Sequence, residues 1–312
     1  MDFSQQGKPV VATATLHAIN AAVEKDQGAT FRGLLRGLMP LAEDAYRNKE
    51  EGFRSHLGAS LIGRECEREL WYSFRWVDKA SFPGRVLRLF NRGHLEEPRM
   101  VALLRLIGCE VYQYTDGKQF RISDHSGHFG GSLDAVIKGL PECPELYVLG
   151  EFKTHGDKSF QKVKEEGVRK AKFEHYVQMQ VYMGKAGLTA ALYLAVNKND
   201  DELYAELLDF DQAIFDAFIL RARGIIYAKV PPKKLNDSPS WYKCKFCDKR
   251  DVCHMGKAPE RNCRTCEYAY PALDGMWHCG HGEGHDLDEG EQLRGCEHYS
   301  LIPALRLTAP RP

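Results

Sequence analysis

The sequence has no net charge: 43 Lys and Arg balance 43 Asp and Glu among 312 residues. No global bias toward nucleic acid or a membrane surface follows, although charge can still be segregated locally. Long apolar runs are missing too. The most apolar stretch, Leu188 to Val196, has the length of a buried strand and not of a bilayer span. The opening Met-Asp-Phe-Ser-Gln-Gln lacks a basic flank and an apolar signal core, so a cytoplasmic chain is expected. No long-period repeat and no low-complexity tract occurs. With 43% hydrophobic and 28% charged residues, the composition is globular and excludes a disordered, fibrous or membrane protein. Cysteine, by contrast, is plentiful. Ten cysteines without an export signal point to metal ligands or reduced core thiols before disulfides.

Helical spacing of apolar residues runs over 13–50, 60–76 and 85–106. From Cys109 the period shifts to two. Strands are expected at 111–114, 120–122, 133–137 and 147–152, then at 190–197 and 203–210, with one long helix over 159–185. A further helix to about Ala228 should end before Pro231-Pro232, because proline lacks the amide proton to continue it. Beyond Pro232 the chain becomes rich in Cys, Gly and His, and metal sites would offset its scarcity of apolar residues. The expected organisation is an α/β middle and a metal-stapled tail. Its segments are a helical region 1–84, a core 85–230, a cysteine cluster 231–258 and a Cys/His-rich tail 259–312.

Asp134 lies in the apolar stretch Gly131–Ile137, and Glu151 and Lys153 close the apolar stretch that begins at Val148. Alternation along a strand puts Glu151 and Lys153 on one face, and a neighbouring strand would add Asp134. Two carboxylates suit a hard divalent cation such as Mg²⁺ or Mn²⁺, and the ammonium suits a phosphate or an attacking water. A buried Glu151–Lys153 ion pair with Asp134 capping a turn would leave the same pattern.

Flanking residues extend it. One helix carries Gly93-His94-Leu95-Glu96-Glu97, and a later one carries Gln178 and Tyr182, four apart on one face. The order helix Gly-x-x-x-Glu, strand Asp, strand Glu-x-Lys, helix Gln-x-x-x-Tyr resembles the PD-(D/E)XK nuclease superfamily, in particular its RecB-like and lambda-exonuclease-like (YqaJ-type) branches. That resemblance covers about Arg85 to Asn197. It implies an α/β (α+β) restriction-endonuclease-like core, a central mixed sheet flanked by helices. It makes Asp134 and Glu151 ligands of Mg²⁺ or Mn²⁺, with the Phe152 carbonyl and Glu97 completing the shell. Lys153 becomes the catalytic lysine, Gln178 and Tyr182 position it and the DNA backbone, and His94 is an auxiliary neighbour. The implied function is a metal-dependent DNA exonuclease in phage recombination or end processing, in a host cytoplasm, beside a single-strand annealing or recombinase protein. A CRISPR-adaptation-like nuclease trimming single strands or flaps, and a non-catalytic DNA-binding module, are the alternatives.

The cysteines fall into sets of four, four and two. Cys66 is isolated, and Cys244, Cys247 and Cys253 form a C-x₂-C-x₅-C cluster. This arrangement resembles the iron–sulfur staple of AddAB-type and RecB-like nucleases, which implies a 4Fe–4S cluster; zinc also accepts four thiolates. The second set, Cys263, Cys266, Cys279 and Cys296, contains one C-x₂-C pair and can close a tetrahedral Zn²⁺ site, with His278, His281 or His298 as substitutes. Cys109 and Cys143 read as core or surface thiols.

Two stretches are locally basic. Residues 153–172 hold seven Lys/Arg against three Asp/Glu, and 229–250 hold seven against two, the latter interleaved with Trp241, Tyr242 and Phe246. Such patches can neutralise phosphates and stack bases, or serve only as solvated faces.

Overall fold

The computed structural model describes residues 8–46, 53–79 and 81–306; parts of the expected N-terminal region and tail (1–7, 47–52, 80 and 307–312) lie outside them. Two compact units divide the chain. One takes Met1–Glu50, Phe82–Ile122 and Ser132–Phe215, the other Glu51–Ser81, Ser123–Gly131 and Asp216–Pro312. The units thus cut across the consecutive segments expected from composition. The reason is long-range strand pairing: Val10 pairs with Leu207, and Leu57 pairs with Phe129.

The first unit is built on six strands: β1 (Val10–Val11), β2 (Glu110–Tyr112), β3 (Ala135–Lys138), β4 (Val148–His155), β5 (Ala190–Asn197) and β6 (Leu203–Asp209). Their order is β1-β6-β5-β4-β3-β2. The β4–β5 pair is parallel and the others are antiparallel, so the sheet is mixed. Every residue of β5 is buried, which accounts for its uninterrupted apolar sequence. Gly150 in β4 permits close packing with β3, since a Cβ there would stand 2.8 Å from Ile137 Cδ1 and 3.2 Å from the Ala135 Cβ.

Helices α1 (Thr13–Lys25), α2 (Ala29–Leu38) and α3 (Gly84–Leu106) pack on one face. There Met100, Val101 and Leu104 of α3 meet Phe152, Leu192, Leu194 and Leu207 of the sheet. A parallel strand pair needs a crossover, and α4 (Asp157–Glu166), α5 (Val168–Ala171) and α6 (Phe173–Ala186) supply it. The single long helix expected over 159–185 is therefore three. Gly167, at φ +75°, makes the first break, in a backbone conformation that β-carbon sterics disfavour. Lys172, at φ −140° and ψ 60°, makes the second. The strand expected over 133–137 also starts later, at Ala135, so Asp134 stands just before it.

In the second unit the helix Glu67–Phe74 buries Leu70, Trp71, Tyr72 and Phe74. Arg68 Nε donates to the Pro232 carbonyl at 2.6 Å and Trp71 Nε1 to the Ala228 carbonyl at 2.9 Å. These bonds join residues that are far apart in sequence. An antiparallel three-stranded sheet, Ala269–Pro271, Trp277–Cys279 and His285–Leu287, forms the tail. Among the described residues no helix is long and apolar enough to cross a membrane.

Candidate active site and cysteine sets

The antiparallel ladder between β3 and β4 ends at Ala135–Gly150, one step short of Asp134 and Glu151. That step leaves Asp134 outside the ladder and half-buried, with Oδ2 accepting the Phe152 backbone N–H at 2.8 Å. Glu151 is fully buried, and Lys153, on the same face two residues on, contacts Glu151 Oε1. The ion pair and the three-residue constellation are therefore both present. The other Glu151 oxygen, Oε2, is buried with no hydrogen-bond partner.

Burial is the main force on this carboxyl, and with Asp134 it outweighs the attraction of Lys153 and the Gln178 amide. The Glu151 pKa is raised to about 7. Burial alone would lower the Lys153 pKa, but Glu151, Asp134 and Glu97 outweigh it and hold the ammonium charged. The site thus carries a proton-poised carboxylate beside a fixed cation.

Glu97 joins through an intermediary. Gln113 Nε2 donates to Glu97 Oε1 at 2.7 Å and to the Asp134 carbonyl at 3.2 Å. His94, one turn earlier on α3, lines with Glu97, Pro98, Gln113 and Tyr114 a cavity of about 70 Å³. Gln178 and Tyr182 are buried on α6, and Gln178 acts on Glu151. The Phe152 side chain belongs to the core on the opposite face.

Three residues here were not singled out from sequence. Besides Gln113, the Tyr193 hydroxyl meets His155 Nε2 at 2.7 Å and His175 Nδ1 at 2.9 Å. Tyr193 lies beside Glu151 in the β4–β5 register. Burial, reinforced by Lys153 and Lys172, pushes His155 down to about 4 and His175 to about 2, so both imidazoles stay neutral near neutral pH. His175 is held in this hydrogen-bonded group. A glutamine just past a strand end, and a tyrosine and a histidine within strands, carry no motif that would have marked them.

A divalent cation suits these donors. Mg²⁺ is commonly held by one or two carboxylates, with water and phosphate filling the remaining positions. The unpartnered, buried Oε2 of Glu151 is the kind of atom such an ion satisfies. Asp134 supplies the second carboxylate. Among the described residues no group of three or more His, Cys, Asp or Glu side chains is gathered to hold a metal ion as it stands.

Both cysteine sets lie in the second unit. Cys66 precedes the helix Glu67–Phe74, and the Lys243–Glu65 ion pair ties that end to the C-x₂-C segment. Burial raises the thiols of Cys244, Cys247 and Cys253, and the nearness of Cys66 adds to each. In the second set burial pushes Cys263 up to about 11, with Cys296, Cys266 and Cys279 contributing. His298 is ring-stacked on His281 with centroids 4.6 Å apart. Cys109 and Cys143 are buried in the first unit's core. In the basic stretch of the second unit, Tyr242 and Phe246 are 61% and 79% exposed, as stacking platforms require.

No protein-family model matches the chain, and no curated protein matches it. Among solved structures, an alkaline exonuclease (LHK-Exo) from Laribacter hongkongensis is similar at 16% identity, with 55% of this chain and 86% of that chain covered and a TM-score of 0.38. Its complex with dAMP gives the same values. The protein SSO0001 is similar at 16% identity and a TM-score of 0.36, with 75% of this chain and all of that one covered. At such scores the reading of the site rests on its own geometry.

Proposed function

We propose that the first unit is a divalent-metal-dependent deoxyribonuclease, an exonuclease that processes DNA ends. The observation that carries this reading is the fully buried Glu151. One of its oxygens contacts Lys153, the other has no partner, and Asp134 stands across from it. An isolated ion pair gives no reason to bury a second, unsatisfied carboxylate oxygen.

Asp134 and Glu151 would hold Mg²⁺ or Mn²⁺, with Glu97 reaching the site through Gln113 and the Phe152 carbonyl completing the shell. When bound, such an ion supplies Lewis-acid activation of water and neutralises phosphate charge. Lys153 places an ammonium where negative charge grows on the phosphate during attack. In the hydrolysis a water oxygen bonds to phosphorus and the phosphorus–oxygen bond to the leaving sugar breaks. The neutral His155–Tyr193–His175 group adds no further positive charge of its own beside Lys153. The lysines at 158, 162, 164, 170 and 172, with Arg169, follow β4 and provide phosphate contacts.

The first cysteine set, Cys66, Cys244, Cys247 and Cys253, is proposed to hold a 4Fe–4S cluster. Support comes from the bonds that already bring the Cys66 helix to the chain after Ala228, and from the nearness of Cys66 to each of the other three thiols. The exposed Tyr242 and Phe246 favour single-stranded ends as the DNA handled by this region.

The deciding experiment is cleavage of end-labelled single- and double-stranded DNA by anaerobically purified protein, with and without Mn²⁺. Metal-dependent release of nucleotides from ends supports the reading. DNA left intact under every condition by folded, metal-supplied protein removes it.

A further inference from the structure

The second cysteine set lies outside the proposed catalytic unit. Its backbone frame brings four separate chain positions together. Cys263 opens a short 3₁₀ turn whose capping box is made by Asn262 and Thr265, and the Cys266 N–H donates to the Cys263 carbonyl at 2.9 Å. The Ala269 N–H then donates to the Cys266 carbonyl at 3.3 Å, and Ala269 is the register partner of Cys279. Cys296 arrives from the other side. A Cβ on Gly295 would sit 3.8 Å from the Asn262 Cα, and Arg261 donates to the Cys296 carbonyl at 2.8 Å.

A second observation is independent of the thiols. Arg75 and Arg264 are each only 2% exposed, and Arg264 sits inside the C-x₂-C turn itself. Arg264 donates to the carbonyls of Phe74 and Ser55 and to the Gln292 amide oxygen, at 2.9 to 3.0 Å. Its guanidinium lies 3.7 Å from the Trp76 ring centroid. Arg75 donates to the carbonyl of Arg264, within that turn, and to that of Ala269, at the start of the tail sheet. All these acceptors are neutral. Among the described residues neither arginine has a carboxylate at ion-pair distance; their acceptors are backbone carbonyls and the Gln292 amide. Two buried cations without counter-charge are costly.

We infer that Cys263, Cys266, Cys279 and Cys296 bind a zinc ion whose tetrathiolate shell balances the buried guanidiniums of Arg75 and Arg264. A zinc ion with four thiolates is a dianion, and the two arginines are its matching countercharge. Zinc suits the set because a C-x₂-C pair and two further cysteines can close the tetrahedral four-thiolate shell of a structural zinc site. The thiols as they stand are not drawn to coordinating distance, so binding pulls them inward and adds its free energy to folding of the tail. Cys279 is half-buried and Cys296 exposed, which leaves a path for the ion.

The test reads metal and not DNA cleavage, so its result is separate from that of the nuclease reading. Protein purified without chelator is analysed for zinc by mass spectrometry, as wild type and as Cys244→Ser, Cys279→Ser and Cys296→Ser. Zinc retained by wild type and Cys244→Ser but lost from the other two supports the site. Zinc retained by Cys279→Ser and Cys296→Ser, or absent from wild type with a protease-resistant tail, overturns it. Since a ligand variant can fail to fold, metal-stripped Cys244→Ser protein is also titrated with Co²⁺. The visible bands of tetrahedral thiolate-bound cobalt are expected, and a titration without them overturns the assignment.

Discussion

Asp134 Oδ2 accepts the Phe152 backbone N–H at 2.8 Å, so a carboxylate lying outside the β3–β4 ladder is held by the strand that carries Glu151 and Lys153. The bond fixes one face of the carboxylate without neutralising it. It links a turn residue to the site through backbone geometry, which side-chain patterning alone does not encode.

Asp134→Asn should separate charge from support. The amide oxygen can still accept from Phe152, so thermal stability should stay near wild type while DNA cleavage falls by ~10²-fold or more. Asp134→Ala should lose cleavage equally and also cost about 1–3 kcal/mol, because the Phe152 N–H is left unpaired. Chemical denaturation and end-labelled cleavage assays measure the two effects. Wild-type cleavage by Asp134→Asn would remove this residue from the site.

Lys153→Ala should abolish cleavage while DNA binding, carried by the many other basic side chains, is largely kept. Electrophoretic mobility shift on the same substrate separates the two. Full activity in the alanine variant would leave Lys153 as nothing more than the counter-ion of Glu151.

Cation binding should depend on pH through Glu151. Its pKa is raised to about 7 from an ordinary 4.5, so the folded, ion-free protein keeps this proton to near neutrality. A cation must displace it, and Mn²⁺ affinity measured by calorimetry should rise as pH climbs toward about 7 and level off above. The same shift makes this residue's contribution to stability greatest at acid pH and lost as pH rises through about 7. An affinity flat across this range would contradict the assignment of Glu151 as a ligand.

Gln113→Leu removes the amide between Glu97 and the Asp134 carbonyl while keeping similar volume. We expect a higher Mn²⁺ concentration for half-maximal activity, with the rate at saturating Mn²⁺ much less affected. An unchanged metal requirement would make Gln113 a merely structural link.

Cys66→Ser tests the first cysteine set. Anaerobically purified wild type should be brown and bleach on reduction, whereas the variant should be colourless and cut more readily by protease near Pro231-Pro232. Zinc, with a filled d shell, gives no colour. A colourless, iron-free wild type that cleaves DNA would reject the cluster and spare the nuclease.

The sequence by itself determined the local pieces. The apolar run at 190–197 is a fully buried strand, the alternation at Glu151 and Lys153 puts both on one face, and Pro231-Pro232 follows the end of the helix Gln212–Ile226. Such features depend on residues within a few positions of each other, through side-chain period and backbone sterics. Only the tertiary structure decided the rest. Gly167 and Lys172 break what reads as one helix, because the chain must return across the sheet to lay β5 parallel to β4. Tyr193 enters the site through strand register, Gln113 through its bonds to Glu97 and the Asp134 carbonyl, and Arg75 reaches the turn around Arg264 across nearly two hundred residues of chain. Contacts of that range depend on packing between distant segments, which no local pattern in the chain records.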